Sequence, residues 1–166
     1  MPTPEHASKR ATSVACAVVT VSDTRTKETD ASGKVIIERL EGAGHRIVRY
    51  EILPDDPARI HAHVESLCGS ACQVVLITGG TGLAPRDTTY EAIASLLEKR
   101  LDGFGELFRM LSFEEIGAAA MLSRAVAGVR GQTAIFSMPG STGAVRLAMD
   151  RLILPVLGHI VSLLTS

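Results

Sequence analysis

The chain has 166 residues, of which 46% are hydrophobic and only 4% aromatic, and its formal net charge is −1. This length fits one domain, and so apolar a composition argues against long disordered stretches. The few aromatic residues argue against a stacking platform for nucleic acid, and the small charge argues against general attraction to DNA or anionic membranes. We therefore expect neither nucleic acid nor a membrane as a partner.

The two ends of the chain carry no recognisable targeting signal. Residues 1–13 are polar, contain two prolines and lack the apolar stretch of a signal peptide. We expect them to form a flexible tail that precedes one domain at residues 14–166. The apolar residues 152–164 are too few to span a bilayer. The expected location is therefore the cytoplasm.

Strand-like and helix-like stretches alternate along the chain. Apolar runs typical of strands buried on both faces predict strands at residues 14–21, 47–53, 73–78 and 133–138. Amphipathic spacing predicts one helix at residues 33–43, and a second one that follows Asp56 as its N-cap and Pro57 in its first turn. This alternation predicts a three-layer α/β/α fold with a mostly parallel central sheet.

The second half of the chain is less regular. A helix is expected to begin near Thr88, where Thr88 and Glu91 have the spacing of a capping box. Residues 103–130 are harder to assign, with short helical segments and an extended stretch at 125–129 as the interpretation. Beyond residue 142 the pattern predicts a long helix that Pro155 kinks or breaks.

Four polar loops directly follow four predicted strands, at residues 22–25, 54–56, 78–82 and 139–142. In a parallel sheet all four loops emerge at the carboxyl ends of the strands, where ligands of open α/β sheets bind. This expected convergence is stronger evidence for a binding site than any single loop.

The glycine-rich loop at residues 78–82 has two interpretations. Glycine allows a ligand to approach the backbone, and exposed amides near a helix start attract phosphate. The alternative is a tight turn from strand to helix. Three glycines in four residues, flanked by two threonine hydroxyls, favour a ligand. The loop is neither a Walker A sequence nor a dinucleotide-binding fingerprint, since lysine is missing and the glycine spacing differs.

Two carboxylates and one arginine are candidates for chemistry beside these loops. Asp87 could hold Mg²⁺, because hard cations take oxygen ligands and bridge phosphates, and the neighbouring Arg86 could pair with a phosphate. Asp87 could instead only cap the following helix, and Asp55 could be a simple turn residue.

The loop at residues 139–142 has the same ambiguity. Ser141 and Thr142 lie at a helix start, so they could be ordinary caps or could hold an anion.

Three cysteines, Cys16, Cys68 and Cys72, are too few and odd in number for the disulfide framework of a secreted domain. Metal binding would need further ligands close by. The favoured interpretation is reduced thiols in or near the core.

Five short motifs together resemble the MoaB/Mog family of molybdenum cofactor biosynthesis proteins. In chain order they are TGGTG at 78–82, RDTT at 86–89, GFGE at 103–106, SR at 123–124 and PGS at 139–141. The resemblance covers about residues 14–157. The runs GFGELFRMLSFEEIG, SRAVAG and MPGST are more similar to the MoaB branch than to the Mog branch. So ordered a set argues against an unrelated phosphate-binding enzyme.

The resemblance implies a fold, an assembly and an activity. It implies the α/β/α fold of the molybdopterin-binding domain and a homotrimer, or a hexamer made of two trimers. It implies binding of molybdopterin, a pterin dithiolene with a terminal phosphate. Catalytic members adenylylate that phosphate with ATP and Mg²⁺. Some MoaB-branch proteins lack the Arg-Asp pair and do not catalyse, so a non-catalytic carrier or scaffold is the alternative. This chain keeps Arg86 and Asp87, which favours an adenylyltransferase.

The resemblance also carries site residues onto this chain. Asp87 and Asp55 correspond to catalytic positions, with Asp87 as the metal ligand. The positions expected to bind the nucleotide and the pterin phosphate are Ser22, Asp23, Thr78, Gly79, Gly80, Thr81, Gly82, Arg86, Pro139, Gly140, Ser141 and Thr142.

Overall fold

The computed structural model describes residues 12–166. The predicted flexible tail therefore lies almost entirely outside the described residues. Only Thr12 and Ser13 of that tail are described, and both are exposed.

Within residues 12–166, six strands form one sheet, in the order β2-β1-β3-β6-β5-β4. The strands are β1 Ala15–Val21, β2 Arg46–Leu53, β3 Val74–Thr78, β4 Lys99–Arg100, β5 Val126–Arg130 and β6 Thr133–Met138. The first four strands in spatial order are parallel, β5 pairs antiparallel with β6, and β4 pairs antiparallel with β5. The prediction of a mostly parallel sheet is confirmed, and the carboxyl ends of β2, β1, β3 and β6 share one edge.

Helices cover both faces of this sheet. They are α1 Ala31–Gly42, α2 Pro57–Cys68, α3 Thr89–Ala94, α4 Asp102–Ile116, α5 Thr142–Leu147 and α6 Leu157–Leu164. Side chains of β1 alternate between two cores: Cys16 and Val18 pack with α1, α4, α5 and α6, whereas Ala17 and Val19 pack with α2 and α3. This alternation is the period of two of a strand buried on both faces. The predicted three-layer α/β/α architecture is confirmed.

The start of α2 follows the sequence prediction and fixes the loop before it. Asp56 Oδ1 accepts hydrogen bonds from the backbone amides of Ala58 and Arg59, at 3.0 and 3.3 Å, and Pro57 occupies the first helical turn. This cap satisfies amides that the helix itself leaves unpaired. It holds Asp55 at the carboxyl end of β2, just outside the helix.

The stretch at residues 103–130 differs from its prediction. It contains the 15-residue helix α4 rather than short helical segments, then a 3₁₀ helix at Gly117–Leu122 and strand β5. Phe104, Phe108 and Leu111 form the buried face of α4, whereas Met110 and Phe113 are exposed. Large apolar residues on both faces hide the 3.6-residue period, which explains why the sequence pattern did not reveal one long helix.

The chain bends near Pro155, as predicted. A π-helical turn at Ala148–Ile153 follows α5, and α6 begins after Pro155. Among the described residues no single helix is long and apolar enough to cross a membrane. The helical segments Thr142–Ile153 and Leu157–Leu164 meet the length and composition criteria only as a pair, and they are bent by 60°.

The three cysteines are free thiols, and Cys16 and Cys72 are buried. Burial raises the pKa of Cys16 to about 12 and that of Cys68 to about 11. Protonated thiols of this kind behave as small hydrophobic side chains. The prediction of reduced thiols in or near the core is confirmed.

Candidate active site

The loops at the carboxyl ends of the parallel strands surround a pocket of about 190 Å³. Three of the four predicted loops contribute to it. Its lining residues are Val21, Ser22, Asp23, Thr24, Asp55, Gly80, Arg86 and Asp87. Six of these were predicted from the sequence as site residues, so the geometry brings together side chains that are far apart along the chain.

Larger cavities lie elsewhere and contain none of the predicted site residues. One of about 340 Å³ is lined by residues such as Arg49, His63 and Ser70. Another, of about 330 Å³, is apolar and lies among residues such as Leu107 and Val156. Of these three cavities, only the polar pocket of about 190 Å³ combines carboxylates, a guanidinium and a glycine-rich backbone.

The glycine-rich loop needs its glycines for two different reasons. Gly79 and Gly80 have φ angles of 102° and 70°, in the left-handed region that favours glycine. A Cβ on Gly79 would lie far inside van der Waals contact of the Val21 carbonyl oxygen, so the turn itself requires this glycine. Gly80 also lines the pocket, where it leaves its backbone accessible. The tight-turn interpretation therefore holds for Gly79, and ligand binding at this loop stays a prediction.

Direct contacts join this loop to the one that follows β6. The Gly79 amide donates to the Met138 carbonyl at 3.0 Å, and Thr78 Oγ1 donates to the Pro139 carbonyl at 3.0 Å. A Cβ on Gly140 would lie 3.4 Å from the Gly79 Cα atom. Thr78 is fully buried, so its hydroxyl joins the two loops rather than facing the pocket.

Hydrogen bonds of Asp55 connect its own loop to the loop after β1 and to the segment that precedes α3. Its Oδ1 accepts from the Thr88 amide at 3.2 Å and from Thr88 Oγ1 at 2.8 Å. Its backbone amide donates to Asp23 Oδ1 at 2.9 Å. Asp55 Oδ2 points towards Gly80, 3.3 Å from where a Cβ on that residue would be. Asp55 is therefore an anchored carboxylate with one oxygen directed at the glycine-rich loop.

The predicted capping box at Thr88 and Glu91 is wrong. Thr88 occupies the N-cap position of α3 but makes no side-chain capping bond. Its hydroxyl bonds Asp55, and the Glu91 carboxylate bonds the Arg124 guanidinium, which holds the pKa of Glu91 below its ordinary value. Partners from other loops have displaced the local interaction that the sequence pattern indicates.

Asp87 and Arg86 lie on the segment between the glycine-rich loop and α3. The N-cap of α3 is Thr88, so the alternative that Asp87 caps this helix is wrong. Asp87 Oδ2 lies beside Gly82, 2.7 Å from where a Cβ on that residue would be. Both Asp87 and Arg86 line the pocket. Among residues 12–166 the Asp87 carboxylate accepts no hydrogen bond, which leaves it available to a ligand.

The hydroxyls of two other predicted site residues stabilise their own loops. Ser22 Oγ accepts from the amides of Thr24 and Arg25, at 3.2 and 3.0 Å. Ser141 Oγ accepts from the Ala144 amide at 3.2 Å as the N-cap of α5, so the cap interpretation holds for Ser141. Both residues are therefore part of the loop framework.

The remaining predicted positions lie around the pocket. Thr81 is buried, and its carbonyl accepts from the Arg124 amide at 3.0 Å. Gly82 faces Asp87, and its carbonyl accepts from the Arg124 side chain. Pro139 and Gly140 lie in the loop after β6, and Thr142 is the first residue of α5; all three are outside the pocket lining.

Arg124 supports the site, although no role for it was predicted from the sequence. Its Nη2 donates to the carbonyls of Gly82 and Asp87 at 2.8 and 2.9 Å, and its Nε donates to Gly82 at 3.1 Å. It also pairs with Glu91 and lies over the Tyr90 ring, 5.2 Å from the ring centroid. The sequence signal for this residue was the motif Ser123-Arg124, from which no function was predicted.

Two carboxylates that line or face the pocket could hold a magnesium ion, if it came together with a nucleotide. Within residues 12–166, no group of three or more His, Cys, Asp or Glu side chains is arranged as a complete metal site. Mg²⁺, however, is usually held by one or two carboxylates, with phosphates and waters as its other ligands. Asp55 Oδ2 and the Asp87 carboxylate meet that requirement.

Comparisons with known proteins agree with the fold and with the motifs. Residues 17–159 match the family described as the probable molybdopterin binding domain. Molybdenum cofactor biosynthesis protein B of Bacillus subtilis (strain 168) is 54% identical over 159 residues, which cover 95% of this chain and 94% of that protein. A crystal structure of molybdenum cofactor biosynthesis protein B is also 54% identical, with a TM-score of 0.90. The match covers 92% of this chain and 96% of the chain in that structure.

A third relative extends the comparison to another metal. The crystal structure of the tungsten cofactor synthesizing protein MoaB from Pyrococcus furiosus is 40% identical and has a TM-score of 0.80, covering 89% of this chain and 94% of its own. Similarity of this extent over nearly the whole chain shows common ancestry as well as a common fold. The chain therefore belongs to the molybdopterin-binding domain family, in its MoaB branch, and to the proteins of molybdenum cofactor biosynthesis.

Proposed function

We propose that this protein binds molybdopterin and adenylylates its terminal phosphate with ATP and Mg²⁺. The observation that carries the proposal is the convergence of Asp55, Gly80, Arg86 and Asp87 on one pocket at the carboxyl edge of the sheet. Family membership supports molybdopterin as the substrate, and this group of residues supports the binding of a nucleotide.

The charges around the pocket support a role for a divalent cation. Asp23, Asp55 and Asp87 line it, against a single guanidinium from Arg86. Three carboxylates would repel the polyphosphate of ATP if no cation accompanied it. Mg²⁺ bound with the nucleotide supplies that charge neutralisation.

The reaction is a nucleotidyl transfer that needs little covalent chemistry from the protein. An oxygen of the molybdopterin phosphate attacks the α-phosphorus of ATP, a new phosphorus–oxygen bond forms, and pyrophosphate leaves with the electrons of the broken bond. Positioning and charge stabilisation then account for most of the rate. The backbone at Gly80 to Gly82 and the Arg86 side chain would bind phosphates, whereas Asp55 and Asp87 would hold the metal-bound nucleotide. The loop at Pro139 to Thr142 anchors the pterin phosphate.

The direct test is pyrophosphate release, with detection of the AMP-linked product, from the purified protein with molybdopterin, ATP and Mg²⁺. We expect equal amounts of pyrophosphate and adenylylated molybdopterin, and no transfer when Mg²⁺ is chelated. Tight molybdopterin binding without transfer in the same preparation would contradict the proposal. That result would support the alternative, a non-catalytic carrier or scaffold, which membership of the MoaB branch favours.

An exposed apolar surface on α4 and the 3₁₀ helix supports a homo-oligomer, which we propose is a trimer or a hexamer. Phe113 and Met121 are 61% and 75% exposed. Several large apolar side chains exposed within one segment of the chain are typical of subunit interfaces. The six large side chains of this surface are Leu107, Met110, Phe113, Ile116, Met121 and Leu122.

Replacing Phe113 by aspartate should dissociate the oligomer, because the new carboxylate would be buried without a partner in the interface. Light scattering coupled to size-exclusion chromatography measures the mass of the assembly. Phe113→Leu is the control, which keeps the position apolar and should keep the assembly. An unchanged mass for Phe113→Asp would show that this surface is not the interface.

The cytoplasmic location expected from the sequence stays a prediction.

A further inference from the structure

The first turn of α3 has the sequence of a capping box, yet neither of its side chains caps the helix. Thr88 is the N-cap residue without a side-chain capping bond, and Glu91 bonds Arg124. An N-cap bond normally stabilises a helix, so α3 forgoes a favourable local interaction. Departures of this kind from local consistency are typical of functional sites.

The Thr88 side chain and backbone act on a single atom of Asp55. Both its Oγ1 and its amide donate to Asp55 Oδ1, at 2.8 and 3.2 Å. Two donors on one oxygen fix the plane of the carboxylate. The second oxygen, Oδ2, is thereby directed to Gly80 and the pocket.

The Arg124 side chain fixes both ends of the segment that carries Arg86 and Asp87. Its guanidinium bonds the carbonyl of Gly82 at the start of that segment and the carbonyl of Asp87 at its end. Glu91 and the Tyr90 ring hold the guanidinium in place from the side of α3. Because all these groups belong to the protein itself, Arg124 acts on the segment rather than on a ligand.

We propose that Thr88 and Arg124 are positioning residues, which use the first turn of α3 as a support to orient the Asp55 and Asp87 carboxylates for a metal-bound nucleotide. This inference rests on the proposed function. Replacing a residue that hydrogen-bonds a metal ligand and so orients it typically lowers the metal affinity by roughly 10- to 100-fold.

Thr88→Val tests the first arm, because valine keeps the shape and the amide donor but removes the hydroxyl. We expect the dissociation constant for Mn²⁺, measured by electron paramagnetic resonance with a non-hydrolysable ATP analogue, to rise roughly 10- to 100-fold. The rate of transfer should fall at low Mg²⁺ and recover at high Mg²⁺, which a general loss of stability would not produce. Thr88→Ser keeps the hydroxyl and should remain close to the wild type. Equal affinities for the valine and serine variants would overturn this arm.

Arg124→Lys tests the second arm, because a single ammonium group cannot reproduce the guanidinium fork that reaches two carbonyls at once. We expect faster amide hydrogen exchange in residues 82–88 and weaker Mn²⁺ binding with the same analogue. Arg100→Lys is the matched control: Arg100 also lies against Tyr90, 5.8 Å from the ring centroid, and it donates to the Tyr90 hydroxyl and to Asp102 but not to the loop. Unchanged exchange in Arg124→Lys would overturn this arm.

Different results would contradict the proposed function and the positioning role. If the wild-type protein neither binds the metal-bound analogue nor transfers AMP, the proposed function fails, and the positioning role towards a nucleotide fails with it. If the wild type is active and both Thr88→Val and Arg124→Lys match it at limiting Mg²⁺, the positioning inference alone fails. Thermal unfolding of each variant separates these outcomes from loss of the fold.

Discussion

Asp87→Asn should lower the rate of adenylyl transfer by about 10²- to 10³-fold. Removing one electrostatic contact to a transition state typically causes a loss of this size. Asparagine keeps the volume of aspartate but removes the charge that would hold Mg²⁺ with the nucleotide. The Asp87 carboxylate accepts no hydrogen bond among residues 12–166, so the fold should not change. Pyrophosphate release at saturating ATP measures the rate, and thermal unfolding measures stability.

The control for this experiment is Asp102→Asn, which removes an exposed carboxylate that pairs with Arg100 at the start of α4. Its rate and its stability should both remain close to the wild type, because an exposed ion pair contributes little. Normal turnover in Asp87→Asn would remove Asp87 from the metal site and leave Asp55 as the only assigned carboxylate.

Gly79→Ala should destabilise the protein by about 3 to 5 kcal/mol, since a strained backbone and an overpacked side chain add their costs. The φ angle of 102° is one that alanine rarely adopts, and the new Cβ would overlap the Val21 carbonyl oxygen. That oxygen belongs to the backbone at the end of β1, so it cannot move aside as a flexible side chain could. Denaturant unfolding measures the loss, which is large beside the 5–15 kcal/mol typical of a whole domain.

Gly143→Ala is the matched control for the glycine substitution. Gly143 lies inside α5, and a Cβ there would meet no atom within 4 Å. Alanine in an open helical position should stabilise by up to about 1 kcal/mol. A Gly79→Ala variant that unfolds at the wild-type denaturant concentration would show that the loop can rearrange, and that its close packing on β1 is not required.

The regular parts of the fold could be predicted because their signals are local. Strand β3 is a continuous apolar run of five buried residues, and the cap of α2 lies in two adjacent residues, Asp56 and Pro57. Once the strands were predicted to be parallel, the convergence of their loops followed from topology alone. The pocket lined by Asp55, Gly80 and Asp87 lies where those loops were predicted to meet.

The supports of the site could not be predicted because they join residues that are distant in sequence. Thr88 and Asp55 are 33 residues apart, and Arg124 is 42 residues from Gly82. The pattern at Thr88 and Glu91 even indicated a different, local pairing. A hydrogen bond from Thr88 to the Asp55 carboxylate and one from the Arg124 guanidinium to Glu91 replace that pairing, since charged partners bind more strongly than a helix cap does.

The direct connection between the loops after β3 and β6 has a kinetic consequence. Hydrogen bonds from Gly79 and Thr78 to Met138 and Pro139 join these loops without an intervening hinge. If one loop holds the nucleotide and the other the pterin phosphate, folding itself brings the two reactants together. The effective concentration of one substrate at the other is then set when the chain folds, rather than by closure of a lid in each catalytic cycle.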